Sequence, residues 1–357
     1  MFSFQDNGTT LSFGLNTTTG YTELDVPITA SSYTDGKWHH ISAVYDGSTK
    51  KIYKDGIPYS TTENKTGNVT VSSNVGCIGA SPSGSTVCNA ESFNGSIDNV
   101  SIYNYARTPA QIAWDYNRGA PVAWYKMDEC EGATIRSNNN PYNSTLDGAL
   151  NIGPSGTQTS AGTCSLGLGS STAWGIGATG KINSSLSFDG NDDWVNVPNN
   201  ALTNITDQIT LSAWVKTSTN DVSVISKRDN ANPWNGYILA IGANGGANNG
   251  KISYWPGNYP TYAWQYSNST IVADGNWHHI VVTHSGTTAT FYLDGKSDVT
   301  RTVGDRTNNS TNDLRISQEI DNIRTFNGLI DDVQIYNYAL TAQQVKTLYS
   351  GGSVNFR

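Results

Sequence analysis

The sequence predicts an all-β fold made of tandem antiparallel β-sandwich modules, each closing on a short helix. Three observations predict it. Apolar and polar residues alternate with period two in Ile41-Ser42-Ala43-Val44-Tyr45, Ile209-Thr210-Leu211-Ser212-Ala213-Trp214-Val215 and Ala289-Thr290-Phe291-Tyr292-Leu293, as strands with one face in a core do. Asp55-Gly56 and Asp294-Gly295 stand between strand-like runs and are hairpin-turn dipeptides. The chain also repeats itself. Asp35-Gly36-Lys37-Trp38-His39-His40-Ile41 returns as Asp274-Gly275-Asn276-Trp277-His278-His279-Ile280. Phe93-Asn94-Gly95-Ser96-Ile97-Asp98 returns as Phe326-Asn327-Gly328-Leu329-Ile330-Asp331, and Ile102-Tyr103-Asn104-Tyr105-Ala106 as Ile335-Tyr336-Asn337-Tyr338-Ala339.

The two copies are unequal. Residues 1–118 match only about 236–351, so the first module is the C-terminal half of the second, which runs over 119–351. This reading makes Met1 an internal start or the chain a fragment of a larger multidomain protein. It also predicts that residues 1–118 alone are unstable or oligomeric, because a half sandwich leaves sheet edges open. Many short strands with one terminal helix per module indicate a sandwich or jelly roll.

Composition narrows the functional classes. The 357 residues carry 21 Lys plus Arg against 29 Asp plus Glu, a net charge of -8, which argues against a nucleic-acid partner. Charged residues are 14%, against about 25% in ordinary globular chains. The abundance of Tyr, Trp and Phe excludes compositional disorder. No apolar run approaches the ~20 residues of a membrane span, and Met1-Phe2-Ser3-Phe4 opens in strand-like sequence with no signal peptide.

Two segments read as helix. Thr108 before Pro109-Ala110-Gln111-Ile112, and Thr341 before Ala342-Gln343-Gln344-Val345, place a threonine at the N-cap, with proline at the first helical position in the first case.

Four ordered blocks carry a resemblance. Leu186-Ser187-Phe188-Asp189-Gly190, Trp277-His278-His279-Ile280, Phe291-Tyr292-Leu293-Asp294-Gly295 and Asn327-Gly328-Leu329-Ile330-Asp331-Asp332-Val333-Gln334-Ile335-Tyr336-Asn337 resemble the laminin-G-like jelly roll of the concanavalin A-like lectin/glucanase superfamily. Val122-Ala123-Trp124-Tyr125-Lys126-Met127-Asp128-Glu129-Cys130 looks like the opening of bacterial surface members. The resemblance implies fold, not activity.

The four cysteines allow three connectivities. The repeat boundary favours Cys77 with Cys88 and Cys130 with Cys164. Zinc is the rival reading, weakened by the lack of any CxxC pair. Two disulfides imply an oxidising compartment, hence an extracellular or cell-surface location.

A glycosidase needs paired carboxylates. The resemblance implies a search for three acids at alternating positions; Glu319-Ile320-Asp321-Asn322-Ile323 begins that pattern and Ile323 breaks it. These acids read as exposed loop charges. The paired histidines His39-His40 and His278-His279 point to opposite faces of a strand and read as structural, beside a core Trp. The chain is therefore expected to be non-catalytic.

Carboxylates and amides cluster at Asp189, Asn191, Asp192 and Asp193, and again at Asp331 and Asp332. Relatives of the fold hold calcium, so a structural Ca2+ on Asp189, Asn191 and Asp331 is an expectation. It supposes that Asp331 shares the inward face of Val333 and Ile335. Aromatic residues concentrate at Tyr254, Trp255, Tyr259, Tyr262, Trp264 and Tyr266, with Trp234 upstream. Flat aromatic faces with polar tips suit sugar rings and protein interfaces. Trp234, Trp255, Tyr259, Tyr262, Trp264 and Tyr266 are therefore the expected ligand-binding set. The function expected is a binding or adhesion module for carbohydrate or a surface protein. A ligand-free structural spacer is the alternative, and a glycoside hydrolase the more distant one.

Overall fold

The computed structural model describes residues 2–351 apart from 71–72, 74, 83–85, 118, 139–143, 165–170, 178, 258–262, 305 and 307–308. The chain divides into two units, 1–112 and 113–357.

The first unit holds β1 (Phe2–Gln5), β2 (Thr10–Thr17), β3 (Gly20–Pro27), β4 (Ile41–Tyr45), β5 (Thr49–Lys54), β6 (Ile57–Asn64), β7 (Ser81–Pro82) and β8 (Cys88–Ala90). β1-β2-β3 and β4-β5-β6 form two three-stranded antiparallel sheets. Leu11, Leu24, Val26 and Ile52 make a small core. Lys50 is buried beside it, its ammonium donating to the Phe13 and Thr22 carbonyls at 3.2 and 2.8 Å and pairing with Glu63. A disulfide joins Cys77 to Cys88. Helix α1 (Pro109–Asn117) begins at the Thr108 cap, whose hydroxyl accepts from the Gln111 amide at 3.2 Å while the Gln111 side chain accepts from the Thr108 amide at 3.0 Å.

The second unit continues with β9 (Ala123–Tyr125), β10 (Thr134–Ile135), β11 (Gly148–Asn151), the short helix α2 (Ala173–Gly177), β12 (Leu186–Asp189), β13 (Trp194–Val197), β14 (Ile209–Lys216), β15 (Val222–Arg228), β16 (Gly236–Ile241), β17 (Ile252–Trp255) and β18 (Gln265–Tyr266). It ends with β19 (Trp277–Ser285), β20 (Thr288–Leu293), β21 (Lys296–Thr302), β22 (Leu314–Ile316), β23 (Asn327–Tyr336) and α3 (Ala342–Tyr349). Seven strands form one sheet in the order β12-β23-β14-β19-β20-β21, with β9 beside β23. Eight form the other, β10-β11-β13-β22-β15-β16-β17-β18. The all-β jelly-roll sandwich is thus present.

Strand alternation builds the core between these sheets. Ile209, Leu211, Ala213 and Val215 of β14 face Tyr237, Leu239 and Ile241 of β16 across it. α3 covers the other face of the seven-stranded sheet, where Tyr349 stacks on Trp214 at 5.4 Å. Its Thr341 and Gln344 form a reciprocal capping box. Cys130 is joined to Cys164.

The repeated Asp-Gly-x-Trp-His-His block is a local pin. His39 contacts Asp55 at 2.9 Å and Asp35 at 3.1 Å, and the His40 amide donates to Asp55 at 2.9 Å. His278, Asp294, Asp274 and the His279 amide repeat the same contacts at the same distances. Both nitrogens of each first histidine are engaged by hairpin carboxylates, a structural role. The tryptophans next to them in sequence are not core residues, Trp38 being 68% exposed and Trp277 half-buried, but His279 does lie beside a buried tryptophan, its ring 5.0 Å from Trp214.

Candidate functional site

The alternation that fills the core also furnishes the outer face of the eight-stranded sheet. β16 turns Ile238 and Ala240 outward, and β17 turns Trp255 outward, directly opposite Ile238. β18 sets Tyr266 opposite Ser253, on that same face. Trp234, Trp264 and Tyr266 pack half-buried on this satellite cluster. The Trp255 and Trp264 rings lie 5.7 Å apart, and the Trp255 indole N–H donates to the Trp234 carbonyl at 3.2 Å. Four of the six expected ligand residues are therefore gathered. Trp255 is only 6% exposed, which corrects its role: it is the floor under Trp264, not a stacking surface. Tyr259 and Tyr262 lie outside the described residues.

A charged network borders the aromatic group. The loop between β22 and β23 brings the Arg324 guanidinium to 5.2 Å from the Trp264 ring. Arg324 binds Glu319 at 2.9 Å, Asp221 at 2.7 Å and Asn244 at 3.1 Å, and Asn244 donates to the Tyr266 hydroxyl at 3.1 Å. Burial works to lower the Arg324 pKa, but Glu319 and Asp221 outweigh it and raise it. The other Glu319 oxygen binds Arg228 at 2.7 Å, and Arg228 binds Asp321 at 2.7 Å. Glu319 is thus a buried ion-pair centre rather than the exposed loop charge its sequence suggests. Sequence reasoning missed Arg324, Asn244 and Asp221, because no local pattern marks residues that meet only across loops.

A second ring lies on the outward side of β13. Trp194 alternates with the core residues Val195 and Val197, and the Arg315 guanidinium sits 5.2 Å from it. Trp194 lines a cleft of about 570 Å³ with Asn191, Asp192, Gln318 and Asn322. Arg315 donates to the Gln318 and Asn322 side chains and to the Glu319 carbonyl at 2.9–3.0 Å, which ties this cleft to the network beside Trp264. The period-two run Trp194-Val195-Asn196-Val197 is the sequence signal that could have found it.

The expected calcium set does not assemble. The antiparallel register places Asp189 opposite Asn327, four residues from Asp331 and so about 13 Å from it at the usual strand rise. Both oxygens of Asp189 are taken by N–H donors: Thr157 and Gln158 at 2.7 and 3.0 Å on one, Asn191 at 3.0 and 3.1 Å on the other. Burial works to raise its pKa, and these bonds outweigh it and lower it. Asp189 and Asn191 thus clamp the 157–158 turn. Among the described residues no three His, Cys, Asp or Glu side chains are arranged to hold a metal.

Asp331 does not share the face of Val333 and Ile335. A β-bulge in the β14–β23 pairing, with Asp332 at φ 49°, resets the alternation. Ile330, Val333 and Ile335 reach the core, and Asp331 pairs with Trp214 on the opposite face, buried. Burial, helped by Asp332 and Asp128, pushes its carboxyl up to about 8. One oxygen accepts from the Ile182 amide at 2.8 Å.

Residues 1–113 and 189–346 match the laminin G family profile described as the concanavalin A-like lectin/glucanases superfamily. The chain belongs to this family. Over 145 residues it is 26% identical to adhesion G-protein coupled receptor V1 of Danio rerio, covering 40% of this chain and 2% of the receptor. Domain 4 of AbnA, a GH43 extracellular arabinanase from Geobacillus stearothermophilus solved in complex with arabinotriose, is 18% identical. It covers 64% of this chain and 98% of that one, with a TM-score of 0.43. The binding domain of botulinum neurotoxin DC, solved with rat synaptotagmin II, is 11% identical over 67% of this chain and 52% of its own, with a TM-score of 0.45.

Within this laminin-G-like chain, the matched stretches carry the repeated hairpin pins, the Trp255–Trp264 group and the Glu319 network. The unmatched 114–188 stretch supplies β9 to β11, the Cys130–Cys164 bridge and most of β12.

Proposed function

We propose that this chain is a non-catalytic, extracellular or cell-surface binding module whose outer eight-stranded face recognises carbohydrate. The observation that carries this reading is the half-buried group Trp234, Trp264 and Tyr266 beside polar groups of both kinds: Arg324 as donor, Asp221 as acceptor, Asn244 and the Tyr266 hydroxyl as either. A sugar offers C–H patches for the rings and hydroxyls that need donors and acceptors at once. Family membership and the two disulfides support a module displayed outside the cell. No helix among the described residues is long and apolar enough to cross a membrane.

Glycan-array binding by the full chain, repeated with Trp264→Ala, tests it. The expected result is saccharide binding that weakens about tenfold in the variant, equivalent to about 1.4 kcal/mol, and is unchanged in Trp38→Ala. Silence across the array from folded protein would overturn the reading in favour of a spacer or a protein ligand. A chelator arm decides whether calcium takes part, through carboxylates other than the Asp189–Asn191–Asp331 set.

A further inference from the structure

The outer face of the eight-stranded sheet carries two aromatic stations built alike. At one, the Arg324 guanidinium lies 5.2 Å from the Trp264 ring; at the other, Arg315 lies 5.2 Å from Trp194. Glu319 anchors both arginines. Its carboxylate binds Arg324 at 2.9 Å, and its backbone carbonyl accepts from Arg315 at 3.0 Å. Both indoles are half-buried, so each keeps part of its surface for a ligand. The polar surroundings match as well. Arg315 donates to the side-chain oxygens of Gln318 and Asn322 at 3.0 and 2.9 Å, which leaves their amide N–H2 groups as donors. Asn191 donates its own N–H2 to Asp189 at 3.1 Å and keeps its oxygen as an acceptor. All three amides line the cleft of about 570 Å³ beside Trp194.

Strand register fixes how far apart the stations are. Asn196, Arg315, Ser226, Ile238 and Trp255 are successive cross-strand partners over β13, β22, β15, β16 and β17. Four strand spacings therefore separate the strand of Trp194 from that of Trp255, about 19 Å, and Trp264 packs on Trp255. A stacked ring lies about 4.5–7 Å from its aromatic partner, so no single sugar touches both stations. Both β13 and β17 are interior strands of the sheet, which holds the interval constant. The loop between β22 and β23 reaches both ends of it, with Gln318 and Asn322 at Trp194 and Arg324 at Trp264.

We propose that the Trp194 cleft and the Trp264 group are two subsites for one extended glycan chain, so that this face takes an internal stretch of oligosaccharide rather than a single terminal sugar. The inference rests on the carbohydrate reading of the Trp264 group and adds the Trp194 cleft to it. Once one station holds a chain, binding at the other is intramolecular, and affinity rises steeply when the chain is long enough to reach both. A short saccharide occupies one station at a time and gains nothing from the second.

Titration calorimetry on the full chain tests this, with a saccharide panel in which each glycan type is present both as disaccharide and as hexasaccharide. In the type that binds, the hexasaccharide is expected to bind at least about tenfold tighter than the disaccharide, with one hexasaccharide per chain. Trp194→Ala should bring the hexasaccharide down to the affinity of the disaccharide and leave disaccharide binding at Trp264 in place. Asn322→Gly, at an exposed residue whose φ of 60° suits glycine, should weaken the hexasaccharide alone. Equal affinities for the two lengths, or a length gain that survives Trp194→Ala, would overturn the shared chain and leave the carbohydrate reading of Trp264 standing. No binding of either length across the panel would overturn both.

Discussion

Glu319 is the residue on which the outer face of the eight-stranded sheet is most dependent. It is 1% exposed, with Arg228 at 2.7 Å on one oxygen and Arg324 at 2.9 Å on the other. Glu319→Gln keeps the shape but leaves one carbonyl oxygen for one guanidinium and turns an amide N–H2 toward the other. Removing one partner of a buried ion pair costs about 3–5 kcal/mol, since the remaining charge stays buried. The outer carboxylates Asp321 and Asp221 still hold Arg228 and Arg324, so the expected loss is at the lower end, about 3 kcal/mol. Asp321 is 39% exposed, and an exposed pair contributes about 0–1 kcal/mol; Asp321→Asn is expected to stay below about 1 kcal/mol. For a unit of this size about 3 kcal/mol is roughly 6–12 °C in Tm. Tryptophan fluorescence during urea or thermal unfolding reads the second unit, because nine of the ten tryptophans lie beyond Ala113. A Glu319→Gln loss under about 1 kcal/mol, or an equal loss in Asp321→Asn, would refute the argument that burial decides which carboxylate matters.

Other predictions concern the same unit and the two bridges. Burial pushes His279 down to about 4 from 6.5, so the neutral imidazole contributes stability that is present above pH 6.5 and lost as pH falls from 6.5 toward 4. The stability difference between wild type and His279→Asn should therefore shrink by about 3 kcal/mol over that window, and a flat difference would show that the ring is not desolvated. Cys130→Ser, opening a loop of 34 residues, should cost about 4 kcal/mol, and Cys77→Ser, opening one of 11, about 3 kcal/mol in the chain-entropy model. Denaturation of each variant beside wild type checks the order as well as the size.

What the sequence made legible follows from the range of each interaction. The runs at 41–45, 209–215 and 289–293 became β4, β14 and β20, because a half-buried strand writes its period into its own residues. The Asp55-Gly56 and Asp294-Gly295 turns and the two threonine caps were equally local. The bulge in β23 was not, since nothing in Ile330-Asp331-Asp332-Val333 announces the extra residue, and without it Asp331 was assigned to the wrong face. Glu319 was misjudged because its partner Arg228 lies 91 residues away. Aromatic density located Trp255, Trp264 and Tyr266, yet only the structure showed that Trp255 is covered while Trp264 stays half-buried.

The repeat carries this distinction inside one chain. The His39–Asp55–Asp35 pin and the His278–Asp294–Asp274 pin form alike, because each is complete within 21 residues of sequence. The Phe-Asn-Gly block does not. Ile102 and Ile335 sit in nearly the same local sequence, and one is 94% exposed while the other is fully buried. The pattern of a strand is thus a statement of which side chains a partner could bury, and it becomes structure only where the partner strand is supplied. β14 supplies it to β23. Asn99 nonetheless holds φ at 54°, close to the 49° of its counterpart Asp332, so this positive-φ position is set by the local sequence in both copies.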